Sequence, residues 1–474
     1  MTSFPKCVLE ITADKEFLMS QAITKNPLGT EPIGKLVTQY AIPSVVAMVV
    51  SSLYNMVDQV FIGRGVGYIG NAATNVTMPM TFIVMAMSLL IGNGSAAFMN
   101  LELGKQNERK AAKGVGNMVI LTVGMGLMLL VLFSVFLRPL CRLFGGQGEV
   151  LEYAMAYGRI IALGTPFAAA SSSFASIIRA DGRPKQSMLG MIIGCGVNMI
   201  LDPVFIFVFG WGVEGAAIAT VIGQFLNASF FIWCMFHFKS VRLEKDCFVP
   251  EWKTSSRICA LGLSSFLTQI ATVFVTAIQN NLLVKYGALS IYGPDIPLAA
   301  FSITMKSSQL IMSIALGIAT GVQPVLSYNY GAAKYKRVKK AFWTSLAACE
   351  VIMLIAFLVF QIFPEYVVLL FGQESELYMQ FAVKCFRIYL MMVMAIPCSM
   401  APGIFFQATG HPVPAAVLSL FRQVLILIPA SLILGSLFGI DGLLAAGPVG
   451  DFTAAAISLV TLAVKWKGIF KERS

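Results

Sequence analysis

The sequence predicts an all-α integral membrane protein: twelve transmembrane helices in two six-helix lobes related by an internal repeat, both termini on the cytoplasmic side. Three observations predict it. The 474 residues are 57% hydrophobic and 12% charged, with mean hydropathy +0.79, whereas soluble domains carry about 25% charged residues. Apolar runs near 20 residues, the length that spans about 30 Å of hydrocarbon, recur along the whole chain. Landmarks of the first half return in the second at a nearly constant interval.

The runs fall at roughly 36–62, 76–100, 115–137, 154–178, 187–210 and 213–236, then at 258–284, 297–325, 341–363, 380–406, 413–438 and 440–464. They divide the chain into a cytoplasmic N-terminal segment (1–34), an N-terminal lobe (35–237), a cytoplasmic linker (238–257), a C-terminal lobe (258–465) and a cytoplasmic tail (466–474). The first 34 residues are polar and lack the apolar core of a signal peptide, so the first helix is expected to act as an uncleaved insertion signal.

Charge sorts the loops. Lys105, Arg109, Lys110 and Lys113 follow the second span, and Arg179, Arg183 and Lys185 the fourth. Lys239, Arg242, Lys245, Lys253 and Arg257 follow the sixth, Lys334, Lys336, Arg337, Lys339 and Lys340 the eighth, and Lys465, Lys467, Lys471 and Arg473 close the chain. The opposite loops hold Arg64, Arg138, Arg142 and Lys285 beside Glu149, Glu214, Asp295, Glu365, Glu374 and Asp441. The basic side is the cytoplasmic one, which gives an N-in, C-in topology. The net charge of +11 is therefore a topology signal, and no nucleic-acid partner is expected. Nine cysteines without CxxC spacing read as small apolar packers.

The repeat is explicit. Gly104-Lys105 and Gly331-Ala332 each open a basic loop, and Leu143-Phe144-Gly145 returns as Leu370-Phe371-Gly372. Ala180-Asp-Gly-Arg-Pro184 returns as Ala408-Thr-Gly-His-Pro412, and Gly212-Val-Glu-Gly215 as Gly439-Ile-Asp-Gly442. Two parallel repeats imply two lobes about an axis along the membrane normal with a cleft between them, a plan suited to alternating access.

Function concentrates in Gly194-Cys-Gly-Val-Asn-Met-Ile-Leu-Asp-Pro203. Asp202 lies in an apolar run, where an ionisable group costs roughly 2.5–3.5 kcal/mol or more and so faces a cavity or a partner. Asn198 is one turn earlier on the same face, and Pro203 interrupts the backbone ladder and is expected to free the Met199 carbonyl. Carboxylate, amide and carbonyl oxygens on one turn suit a proton or small cation. Asp58 is a second acid in the first span, within Tyr54-Asn-Met-Val-Asp-Gln-Val-Phe-Ile-Gly63, fifteen residues beyond Pro43. In the second half Pro429 and Leu425 stand where Asp202 and Asn198 would fall, and Gln279-Asn280-Asn281 answers Asp58. The ion chemistry is thus expected in the N-terminal lobe. Arg159, Lys306, Arg387, Arg422 and Asp451 are the other charges expected to be buried, and their role stays open.

Other motifs carry nothing. Gly65-Val-Gly-Tyr-Ile-Gly70 matches GxGxxG without a βαβ context. Gly29-Thr-Glu-Pro-Ile-Gly34-Lys35 resembles a P-loop until Leu36 takes the Ser/Thr position. With no ATPase site, pumping would draw on an ion gradient. Gly190-Met-Ile-Ile-Gly194 and Gly317-Ile-Ala-Thr-Gly321 read as helix packing. Clustered methionines, among them Met78, Met85 and Met391, suit either a pocket of many shapes or lipid-facing packing.

The ordered motifs resemble the multidrug and toxic compound extrusion (MATE) family: Asn-x-Val-Asp-x-x-Phe-Ile-Gly at 55–63, Asp-Gly-Arg-Pro at 181–184 and Asn-x-x-x-Asp-Pro at 198–203. Gly-Val-x-Gly-Ala-Ala-x-Ala-Thr at 212–220 and Leu-x-Leu-Phe-Arg-Gln at 418–423 complete the set, which covers about 35–465. The Ala-Gly-Pro-Val-Gly-Asp run ending at Asp451 leans towards its MepA-like branch. The resemblance implies a drug/cation antiporter whose cation site is Asp58, Asn198, Asp202, Thr220 and Tyr157, with Na⁺ as a ligand of the first four if sodium is the coupling ion. Gln279, Asn280, Met391 and Asp451 are the substrate-cleft candidates. No cofactor beyond a coupling H⁺ or Na⁺ is expected; the partners are lipophilic cations and drugs and the lipid bilayer of a prokaryotic plasma membrane, with the protein a monomer. A flippase for a lipid-linked precursor is the alternative. An intramembrane enzyme is disfavoured, because no nucleophile–base or metal motif is present.

Overall fold

The structure is a computed structural model describing residues 26–293, 295–369 and 375–471. Most of the N-terminal segment, Glu374, the Leu370-Phe371-Gly372 copy of the repeat and the last residues of the tail, Arg473 included, lie outside the described residues. Thirteen helices of nine residues or more are described: α1 (Ile33–Gly65), α2 (Tyr68–Gly104), α3 (Glu108–Leu143), α4 (Gly148–Ala180), α5 (Pro184–Pro203), α6 (Gly212–Met235), α7 (Trp252–Ala288), α8 (Asp295–Gly331), α9 (Tyr335–Ile362), α10 (Glu376–Tyr389), α11 (Ala395–Ala408), α12 (Pro412–Leu420) and α13 (Ile428–Lys471). No strand occurs among the described residues.

Ten helical stretches are long and apolar enough to cross a membrane, and twelve spans fit them once two departures from the hydropathy pattern are explained. The tenth span is broken at residues 390–394 into α10 and α11, each too short alone. The last two run together as Pro412–Phe470, divided inside α13 by Gly439, whose φ of +62° is a conformation that glycine adopts without steric cost.

The repeat is visible in the backbone. Gly182 and Gly410 take φ of +85° and +83° in the matching turns before α5 and α12, each followed by a proline at the first helical position, where its missing N–H costs nothing. Gly212 and Gly439, the start of the other shared motif, both have positive φ.

The halves meet along a seam built on paired glycines. Gly94 of α2 lies against the Ile258 carbonyl and Gly262 of α7, and Gly262 against the Leu90 carbonyl. At the equivalent place Gly321 of α8 lies against Tyr40 and Ala41 of α1, and Gly317 against Val45. Gly104 and Gly331, at the ends of α2 and α8, approach each other directly. Polar bonds reinforce the seam: Asn93 Nδ2 donates to Ser265 Oγ at 3.1 Å, and Ser52 and Ser313 share a hydrogen bond of 2.5 Å. The short helix Pro27–Thr30 caps this end, its Leu28 carbonyl accepting from Asn329 and Arg337 and Gly29 from Lys334.

Towards the opposite end the halves part. On α8 one stripe runs Ser302, Lys306, Gln309, Ser313, Gly317, Gly321; its last three members contact α1, and its first three are exposed. On α2, Asn75, Met78 and Met85 are likewise exposed, whereas residues 91–103 are buried throughout. One face of each helix thus changes from seam to open wall, which makes a cleft sealed at the end that carries residue 26 and the α13 terminus.

A side chain in the seam must break this packing. Gly262→Val is expected to lower the melting temperature of the purified protein by several degrees, since its Cβ would overlap the Leu90 carbonyl. Gly124→Ala, with nothing within 4 Å of the added carbon, is expected to leave it unchanged or higher, and thermal melts in detergent compare the two.

Candidate functional site

Four helices of the first half bring six polar side chains together. Asp202 ends α5 and is fully buried, with Asn198 one turn before it. Pro203 brings no N–H to the ladder, and the next turn widens into a π-helix over Val204–Val208, a form frequent at functional sites. Asn198 Nδ2 donates to Asp202 Oδ1 at 3.3 Å and to Thr220 Oγ1 of α6 at 3.2 Å. Asp58 of α1 stands beside Asp202. Tyr157 of α4 lies close to both carboxyls, and Tyr54, one turn before Asp58, reaches Thr220.

The arrangement lacks positive charge. Asp58 Oδ1, Asn198 Oδ1 and Asp202 Oδ2 are buried without a hydrogen-bond partner among the described residues. Buried polar atoms are nearly always paired, and each orphan costs about 1–3 kcal/mol. Three orphaned acceptors, two on carboxyls, are oxygens of the kind that protons and small hard cations take as ligands.

Asp58, Asn198, Asp202, Thr220 and Tyr157 therefore lie together. Tyr54 joins them although the sequence reading passed over it; its signal was the i, i+4 spacing to Asp58. The substrate-cleft candidates scatter. Gln279 is buried beside Tyr389, while Asn280 and Met391 are exposed, Met391 in the break between α10 and α11. Asp451 Oδ1 accepts from both Nη2 and Nε of Arg422, at 2.7 and 2.8 Å, so the second half holds a balanced ion pair. Arg159, Lys306 and Arg387 depart from the expectation of burial: all three are exposed, because they stand on helix faces that no other helix covers, Lys306 on the open stripe of α8. One acid in an apolar run was not singled out: Glu350 of α9, half-buried, accepts from Cys398 Sγ at 3.1 Å.

Comparison with known proteins shows the family of the chain. The MatE family model matches residues 43–204 and 265–433. The chain belongs to the MatE family. It is a multi-pass membrane protein of that family of transporters. It is 28% identical over 420 residues to the multidrug export protein MepA of Staphylococcus aureus (strain N315), covering 87% of this chain and 90% of that protein. Among solved structures it resembles MATE in complex with MaL6 at a TM-score of 0.88, with 22% identity, 94% of this chain and 98% of that one covered. A multidrug resistance MATE family transporter in its outward-facing conformation matches at 0.87, with 23% identity and the same coverage.

The two halves should respond oppositely to loss of an acid. Asp202→Asn removes a charge that has no partner, so melting temperature should hold or rise. Asp451→Asn leaves Arg422 without its carboxylate, and breaking such a pair costs about 3–5 kcal/mol, so melting temperature should fall. Melts of the two variants side by side check the contrast.

Proposed function

We propose that this chain is a secondary active multidrug exporter that antiports lipophilic, mostly cationic organic compounds against H⁺ or Na⁺. The observation that carries the reading is the pair of carboxyls, Asp58 and Asp202, with three orphaned acceptor oxygens between α1 and α5. Two lobes, 35–237 and 258–465, would alternate about the cleft, with the termini and the linker 238–257 in the cytoplasm by the loop-charge rule. The sealed end is then the inner one. The site is in a bacterial cytoplasmic membrane, the working unit is a monomer, and no cofactor or nucleotide takes part.

Coupling follows from α1. Its first turns form the seam, through Tyr40, Val45 and Ser52, and its later turns carry Asp58, with Pro43 inside the helix between its start and the acid. A cation arriving from outside satisfies Asp58 and Asp202 and alters how α1 sits on α5. The same helix holds or releases α8 at the inner end. Ion loading outside would thus accompany drug release, and ion release inside would accompany drug loading. A ligand shifts such an equilibrium only by its differential affinity for the two states, and the incomplete site supplies that difference.

Cells expressing the protein should accumulate less ethidium or tetraphenylphosphonium than controls. Asp58→Asn and Asp202→Asn should each return accumulation to the control level while the protein remains in the membrane. Asn198→Ala and Thr220→Ala should weaken ion dependence by about tenfold, the value of one hydrogen-bonding ligand. A well-expressed Asp202→Asn protein that exports with normal pH or sodium dependence would overturn the reading. Unchanged cation accumulation with movement of an anionic lipid precursor would favour a flippase.

A further inference from the structure

An open pocket lies at the ends of three of the site's four helices, α1, α4 and α6, and the turn before α6. It has a volume of about 530 Å³ and is lined by Gly65 of α1 and Val66 just after it, Glu152, Tyr153 and Ala156 of α4, Gly210 and Trp211 before α6, and Gly212, Val213 and Glu214 of α6. Both glutamates are exposed. The cavity stands at the open end of the first half.

The register of the helices connects this mouth to the site. On α1 the steps run Asp58, Ile62, Val66; on α5 and its continuation Asp202, Ile206, Gly210; on α6 Thr220, Ala216, Gly212; on α4 Tyr157, Tyr153. Within the α-helices each step is about one turn, about 5.4 Å along the axis, while Val66 and Gly210 lie just past the helix ends. The lowest layer is the polar site, the upper layer the cavity. Between them lies a single apolar layer: Ile62, Ile206, Val213 and Ala216 form one buried cluster, with Tyr153 and Tyr157 packed on it.

That layer is thin and is built on irregular backbone. Ile206 sits in the π-helix Val204–Val208, and Gly65 gives room to Ile206 and Phe207. Below it Asp202 Oδ2 and Asn198 Oδ1 are buried and without partners. The remaining charges on these helix ends are Glu149 and Arg64, both exposed.

We infer that this cavity is the outer mouth of a passage for the coupling cation, separate from the cleft between the halves, with Glu152 and Glu214 concentrating cations and the Ile62–Ile206 layer as its gate. The inference rests on the ion-coupled reading of Asp58 and Asp202 and adds the route by which the ion reaches them. Carboxylates at a low-dielectric mouth raise the local cation concentration and the rate of arrival, and salt screens the effect. Glu152 and Glu214 touch neither carboxyl of the site; they act on arrival alone.

The test is substrate transport by reconstituted protein over a range of outer Na⁺ and of outer pH, in the wild type and in Glu152→Gln/Glu214→Gln. Both side chains are exposed, so folding should be untouched. At low ionic strength the variant should need about three- to tenfold more of the coupling cation for half-maximal rate, with the maximal rate unchanged. In high inert electrolyte the two proteins should converge. An identical cation dependence at low ionic strength would overturn the passage while leaving coupling at Asp58 and Asp202 standing. A wild type indifferent to both Na⁺ and pH would overturn both. A reduced maximal rate with an unchanged half-maximal concentration would assign the glutamates a structural role and would also overturn it.

Discussion

The structure depends on one electrostatic constraint: two carboxyls, Asp58 and Asp202, are held side by side, and one oxygen of each is buried without a hydrogen-bond partner among the described residues. A charge removed from water is tolerated when it is paired and hydrogen-bonded, and here the pairing is incomplete. Asn198 spends its donor on Asp202 and Thr220, which orients the oxygens and supplies no charge. In the second half Arg422 closes its bond to Asp451 at 2.7 Å, so that pair is complete as it stands. Asp58 and Asp202 of one half lack a cationic partner among the described residues, and Asp451 of the other has one. This asymmetry between two otherwise repeated halves carries the functional account.

The remainder of the fold joins the two halves at one end. Glycines at repeat-related positions let α2 approach α7 and α8 approach α1 at backbone distance, and close small-residue contacts of this kind are how helices associate where lipid offers no hydrophobic drive. α1 belongs both to the seam, through Tyr40, Val45 and Ser52, and to the site, through Asp58. The stripe on α8 that is seam at Gly317 and open wall at Lys306 marks how far the halves have separated in this state.

Much of this was legible in the sequence, for reasons that differ from residue to residue. Hydropathy locates spans because hydrocarbon admits only internally bonded backbone. It does not register the break at residues 390–394, whose side chains are as apolar as those of the helices it separates, nor the bend at Gly439 inside a continuous apolar run. Asp58 and Asp202 were legible because acids in apolar runs are costly. The same signal marks Glu350, which carries no neighbouring polar motif to draw attention to it. Tyr54 was overlooked because a tyrosine in a membrane helix is unremarkable until its i, i+4 partner is known to be in a site. Burial of single charges was read least well. Arg159, Lys306 and Arg387 lie in apolar stretches, yet exposure depends on which face a helix turns to its neighbours, and sequence period alone does not say where the cleft opens.

The central claim is that an ion gradient, acting through the carboxyl pair, drives export. The direct measurement is uptake of a lipophilic cation into proteoliposomes holding the purified protein, with ΔpH and ΔpNa imposed separately and no nucleotide present. The account predicts uptake driven by at least one of the two gradients, abolished when that gradient is collapsed, and absent in liposomes carrying Asp202→Asn. Uptake indifferent to both gradients, or strictly dependent on ATP, would contradict it.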